Sequence, residues 1–277
     1  MIAQQTRTPS AGHFLSLVTG SPRLRTVVRV ALPFACLLAV WQVGVLLSGL
    51  PEFFFPSPAT VLGSVFVLIE KGILPAYIAD SIVRFAFGVT IGIALAVPTG
   101  VAMSLSRRLS EALMPIVNFF LSIVEMAWIP LFVLWFGYGF KTILLSISYV
   151  VFFPVLYNTL LGVRTIPRST INAVLVLGAK PKDVILEVLL PGALPNIATG
   201  VRLGAGYAFR ALIAAEMIAA QSGLGFMIFE ARQNQLTHRT IVGMIVMGIL
   251  WLAIERLYLR PLERATIERW GMLRRAE

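Results

Sequence analysis

Residues Ile171–Pro195 read INAVLVLGAKPKDVILEVLLPGALP. Two amphipathic stretches flank Gly178-Ala179-Lys180-Pro181. Glycine just past a helix and proline at the first position of the next are stop and start signals. The spacing therefore predicts a helix–turn–helix with Gly178 as its C-cap and Pro181 at N1. The segment is too polar to cross a bilayer, yet apolar runs of spanning length lie on both sides, at about Thr142–Val163 and Ala198–Ala220. A spanning helix needs about 20 mostly apolar residues. This alternation predicts an all-α polytopic membrane protein in which residues 164–197 form a loop at the inner surface. Two readings of that loop stand side by side: a docking element for a cytoplasmic partner, or an ordinary amphipathic linker.

Four more apolar runs complete the pattern, at about Val27–Leu47, Val83–Leu105, Leu113–Phe136 and Ile241–Tyr258. The first is too long for the core of a signal peptide and has no small-residue cleavage site, so it reads as a retained span. Between the first and second, Phe55-Pro56-Ser57-Pro58 pairs a serine N-cap with a proline at N1. A short helix over 58–70, lying along the outer interface, is expected there. Gly88, Gly92 and Gly100 in the second span are small residues that let helices approach closely.

The basic residues set the orientation. Arg7, Arg23, Arg25, Arg29, Arg107, Arg108, the 164–197 loop and the tail with Arg260, Arg264, Arg269, Arg274 and Arg275 fall on one side. The other side holds Lys71, Lys141, Arg232, Arg239 and Arg84. By the positive-inside rule both termini are expected in the cytoplasm. The chain of 277 residues reads as a single transmembrane domain over 1–277, multi-pass in a cell (inner) membrane.

Composition narrows the function classes. The chain is 58% hydrophobic and 13% charged, against about a quarter charged in soluble domains. Its net charge of +10 lies in short gaps between apolar runs, not on a basic face with polar and aromatic contacts, which excludes nucleic-acid binding. Lipid is the expected surrounding. The lone Cys36 sits in an apolar run, and His13 and His238 lack metal-ligand spacing. No catalytic motif and no metal site are read, and no cofactor is expected on this chain.

The loop resembles the cytoplasmic "EAA" loop of binding-protein-dependent ABC importer permeases. That pattern runs Glu-Ala-Ala, three residues, Gly, nine residues, then Ile-x-Leu-Pro. Here Asn172-Ala173-Val174, Gly178 and Val188-Leu189-Leu190-Pro191 stand at the same spacing. Ala173, Gly178, Leu190 and Pro191 match, while Asn172 replaces the Glu and Val174 the second Ala. Ala127-Trp128-Ile129-Pro130-Leu131 with Leu134-Trp135-Phe136-Gly137 resembles the third-span signature of the nitrate/sulfonate/taurine branch. Glu216 within Ala215–Ala220, followed by Ser222-Gly223-Leu224-Gly225-Phe226, resembles its fifth-span signature.

The resemblance implies a type I importer permease fold. It implies two permease copies, commonly identical, around a central pathway, and two cytoplasmic ABC ATPase subunits that hold ATP and magnesium and receive the loop. It also implies a periplasmic or lipid-anchored solute-binding protein. The coupling element would centre on Gly178, Ala179, Lys180, Pro181, Lys182 and Asp183, with the lysines and Asp183 as polar contacts. Sulfonates and taurine come first among solutes, then nitrate, bicarbonate and vitamin precursors such as pyrimidines.

Three charges fall at membrane depth: Glu125, Arg210 and Glu216. Such charges are costly and face a cavity or a partner. Arg210 reads equally as a pathway residue attracting an anion or as half of an ion pair with Glu125 or Glu216. Six residues separate Arg210 from Glu216, so the two do not share a helix face, and Glu125 is the better partner by depth. For Glu216 a structural pair is favoured. Arg202 is expected to snorkel to the interface, and Trp128 and Trp135 read as packing or interfacial residues, not as solute-stacking ones. A secondary transporter would show inverted repeats or paired broken helices, and a membrane enzyme would show clustered catalytic residues. Neither pattern is present in the sequence.

Overall fold

The computed structural model describes residues 22–269. Arg7, His13, Arg274 and Arg275 lie outside them. Two compact units divide at Gly63, inside a short helix, and each is described by itself.

The first unit holds α1 (Pro22–Ser48) and the start of α2 (Pro58–Glu70). None of the residues in Ala31–Ser48 is buried, as suits an apolar helix solvated by lipid. The turn after α1 closes through the Trp41 indole N–H, which donates to the Pro56 carbonyl at 3.2 Å. Ser57 caps α2 as expected: its hydroxyl accepts from the Thr60 N–H at 3.2 Å, and Pro58 begins the helix.

The second unit contains α3 (Ile73–Leu105), α4 (Arg107–Leu121), α5 (Trp128–Phe136), α6 (Phe140–Arg164), α7 (Arg168–Val176), α8 (Pro181–Ala219), α9 (Leu224–Gln233), α10 (Thr237–Ile254) and α11 (Arg260–Arg269). Five helices of the described chain are long and apolar enough to cross a membrane, or six with the bent α4–α5 pair counted as one span.

Helix α6 is the core of this unit. Of its apolar window 61% is buried, more than for any other span, because α3 packs on one side and α8 on the other. Both contacts are close because glycine meets backbone. A Cβ on Gly92 would lie 2.9 Å from the Ser148 carbonyl, and one on Gly200 would lie 2.7 Å from Asn158 Cβ. Gly88 and Gly100 face α6 in the same way, so the small residues of the second span do let helices approach. The Ser148 hydroxyl donates to the Gly88 carbonyl at 3.1 Å in the seam this opens.

Three spans differ from the sequence expectation. The second begins at Ile73, not Val83; Gly72, at φ 70°, turns the chain out of α2 and α3 starts at once. The third is not one straight helix over 113–136: α4 and α5 are bent by 82°. The Ser122 hydroxyl turns back to the Asn118 carbonyl, Val124 is extended, and Glu125–Ala127 form a single 3₁₀ turn. Hydropathy averages over such a break and does not register it. The fifth span does not begin at Ala198. Its helix is continuous from Pro181, 39 residues, so half of the inner loop belongs to the same rod as the span. The polar interval 221–240 also contains a helix, α9, wedged between α8 and α10.

Candidate functional sites: the inner loop and the membrane-depth charges

The inner loop turns on two backbone devices. Helix α7 ends in a Schellman motif: the Gly178 N–H donates to the Leu175 carbonyl at 3.0 Å and the Ala179 N–H to the Val174 carbonyl at 3.3 Å. Gly178 takes φ 89°, which disfavours any side chain. Lys180 is then the N-cap of α8, Pro181 its first residue, and the Asp183 carboxylate accepts the Lys180 N–H at 3.1 Å. Asp183 therefore caps the helix. Lys182 and the Asn172–Ala173 face are exposed.

The tip carries something the sequence reading left out. Val176 and Leu177 are 87% and 85% exposed, side by side just before the turn. An apolar pair presented this openly beside lysines suits a partner's groove. The signal was present in the sequence, as two apolar residues directly before the predicted C-cap.

Leu190 and Pro191 are not part of that tip; both lie within α8 and are half-buried. A π-helical turn, Val184–Leu189, immediately precedes them, and the Leu190 N–H reaches back to the Ile185 carbonyl. Proline donates no hydrogen bond and crowds the carbonyl four residues back. The wider π turn accommodates it, and the helix runs on unbroken from the loop into the span.

Glu216 is 0% exposed. Arg210 is not its partner. Arg84 Nη1 lies 2.8 Å from its carboxylate, the Ser81 hydroxyl donates to it at 2.9 Å, and the Gly225 N–H does so at 2.9 Å. Arg84 also holds the Ser222 carbonyl at 2.6 Å and hydroxyl at 2.7 Å. Gly223 closes the ring: at φ 107°, a Cβ there would stand 2.5 Å from Glu216 Oε1 and 2.6 Å from Arg84 Nη1. The Ser222–Gly225 motif is thus the backbone wrapping of a buried ion pair that joins α3, α8 and the start of α9. The Arg210–Glu216 pair weighed from sequence does not form. Arg84, which the charge pattern set at the outer surface, is 11% exposed and is the true partner.

Glu125 and Arg210 do come together, without pairing. Both line one cavity of about 310 Å³ with Phe120, Tyr149, Phe153 and Tyr207. The Glu125–Arg210 ion pair expected as one alternative is absent among the described residues, and Arg210 lies over the Tyr207 ring at 5.3 Å. Glu125 stands in the α4–α5 break. Irregular backbone at membrane depth is tolerated only inside protein or against a wet cavity.

Arg202 differs from expectation too. It does not merely snorkel: it meets Glu255 at 3.2 Å and Glu263 at 2.6 Å, tying α8 to the end of α10 and to α11. Trp128 packs among Phe120, Phe132 and Tyr149, the first of the two expected roles, and Trp135 is 60% exposed, which suits the second, an interfacial position.

Helices long and apolar enough to cross a membrane, a helical loop continuous with the fifth of these spans, and a buried ion pair between helices define a polytopic membrane protein. Residues 88–259 match the family described as binding-protein-dependent transport system inner membrane component, and the chain belongs to that family. It is 35% identical to the taurine transport system permease protein of Escherichia coli (strain K12), over 83% of this chain and 85% of that one. It is 30% identical to the nitrate import permease protein of Synechocystis sp., over 83% and 86% of the two chains. The fold resembles that of inward-facing conformations of the MetNI methionine ABC transporter, with TM-score 0.54 and 18% identity, over 72% of this chain and 98% of that chain. Fold and family together make this a multi-pass permease subunit of an ATP-driven, binding-protein-dependent importer.

Proposed function

We propose that this permease imports a small organic oxyanion, with sulfonates such as taurine first, and that Arg210 stands in the solute pathway. The observation that carries the reading is an exposed arginine with no ion pair in the apolar second half of α8, beside a cavity. A charge so placed is functional by default, and a guanidinium offers forked donors to an oxyanion. The similarity to the taurine permease supports sulfonate ahead of nitrate. Glu216, sealed by Arg84, takes no part in the pathway.

The partners follow from the loop. Cytoplasmic ATPase subunits, which carry the hydrolysis on a separate chain, receive the turn from Val176 to Asp183, with Leu177 as the central apolar contact. A second copy of this chain completes the pathway, and a solute-binding protein delivers the solute from outside. The whole chain forms one transmembrane domain with both termini cytoplasmic.

The test is co-purification of the ATPase with the wild type and with Leu177→Ser or Gly178→Asp, followed by solute uptake into vesicles. Release of the ATPase by loop variants that remain folded in the membrane, together with loss of sulfonate uptake in Arg210→Gln, is the expected result. An ATPase that stays bound and coupled in both loop variants refutes the docking role. Undiminished uptake in Arg210→Gln refutes the pathway role.

A further inference from the structure

The cavity that holds Arg210 also holds a carboxylate, and the two do not neutralise one another. The Glu125 carboxylate makes no hydrogen bond or ion pair among the described residues, and the Arg210 guanidinium meets only the Tyr207 ring. For a simple anion the arrangement works against itself: Arg210 attracts, and Glu125 in the same lining repels. Two uncompensated opposite charges around one space suit a ligand that carries both charges itself.

We infer that the cavity between the α4–α5 break, α6 and α8 is a solute subsite for a small zwitterion, its oxyanion at Arg210 and its ammonium at Glu125. This rests on the reading that Arg210 lines the pathway, and it deepens that reading by naming the solute class.

The rest of the lining agrees. Phe120, Tyr149 and Phe153 form a fixed aromatic wall: Phe120 stacks on Phe153 at 6.2 Å between centroids, and Tyr149 meets Phe153 edge-on at 5.0 Å. The Tyr149 hydroxyl donates to the Phe120 carbonyl at 3.0 Å, which anchors the wall to the end of α4, five residues before Glu125. Aromatic faces beside a carboxylate attract an ammonium or alkylammonium group. Tyr207 backs the guanidinium face, which leaves its N–H edge free for an oxyanion. A volume of about 310 Å³ lies at the small end of ligand sites. The break that puts Glu125 there is the one irregular element among the described spans that bends the chain sharply, by 82°.

The experiment uses the full-length chain in lipid nanodiscs, without binding protein, and two probes that differ in one group. Taurine carries an ammonium where isethionate carries a hydroxyl; both carry the same sulfonate. Binding is read by saturation-transfer NMR titration, with circular dichroism checking that Glu125→Gln and Arg210→Gln remain folded. Loss of one charge-assisted contact changes affinity by about tenfold or more. The wild type is expected to bind taurine at least about tenfold more tightly than isethionate. Glu125→Gln should abolish that difference by weakening taurine alone, and Arg210→Gln should weaken both probes. Equal binding of the probes by the wild type, no saturable binding of either, or equal weakening of both in Glu125→Gln overturns the inference. If Arg210→Gln weakens both probes while Glu125 distinguishes nothing, only the zwitterion subsite falls. If Arg210→Gln changes neither, the pathway reading falls with it.

Discussion

Glu216 and Arg84 show how much one buried pair governs. The carboxylate is fully enclosed and takes donors from α3 and from the chain leading into α9. Removing one partner of such a pair strands the other charge, at about 3–5 kcal/mol. Arg84→Ala is therefore expected to lose the folded protein from membranes or to lower its melting temperature sharply. Arg84→Leu combined with Glu216→Leu should recover part of the loss, since neither charge then remains unpaired. A fluorescence-detected thermal shift of the detergent-solubilised chain checks both. Gly223→Ala tests the wrapping separately: positive φ and a Cβ in contact with both charged groups predict destabilisation of about 1–3 kcal/mol. The signature Glu216 with Ser222–Gly225 was legible in the sequence. Its partner was not, because 132 residues separate Arg84 from Glu216 and no local spacing links them.

At the scale of elements, the inner loop and its span act as one rod. Its 39 residues run unbroken from Pro181 to Ala219, so the turn of the loop and the far end of the span belong to one continuous helix. The π turn keeps that rod unbroken through Pro191. Pro191→Ala removes the reason for the wider turn, and relaxation to α geometry would rotate the loop against the span. The expected outcome is a stable protein that still binds its ATPase but transports poorly per ATP hydrolysed, measured by comparing uptake with hydrolysis in proteoliposomes. The helix–turn–helix, the Gly178 stop and the Pro181 start were all readable from residue types, because caps are local chemistry. That the second helix would not stop before the span was unreadable, since neither Pro191 nor Pro195 breaks it and proline in a sequence normally signals a boundary.

For the molecule as a whole, the packing of α6 between α3 and α8 sets what can be changed. Gly92→Leu drives a side chain into the Ser148 carbonyl and Val151 and is expected to prevent stable folding. Gly63→Ala, on a face of α2 with open space around it, should be tolerated or slightly stabilising through helix propensity. Expression and thermal stability of the two variants, compared side by side, check this contrast. The native residue is glycine in both cases, but a Cβ alone already meets Val151 and the Ser148 carbonyl at Gly92 and meets nothing within 4 Å at Gly63.

The sequence by itself determined the fold class, the number and order of apolar runs, the polar hairpin before the fifth span and its turn. Each depends on a signal within one helix length: hydropathy over a span, or a capping residue beside its helix. Only the tertiary structure decided which charges meet. It paired Glu216 with Arg84 and Arg202 with Glu255 and Glu263, and it left Glu125 and Arg210 unpaired around one cavity. Charge partners across a bundle depend on the rotation of each helix and on where its backbone breaks. Both are set by close packing at glycines such as Gly92 and Gly200, whose neighbours lie on other helices far away in sequence.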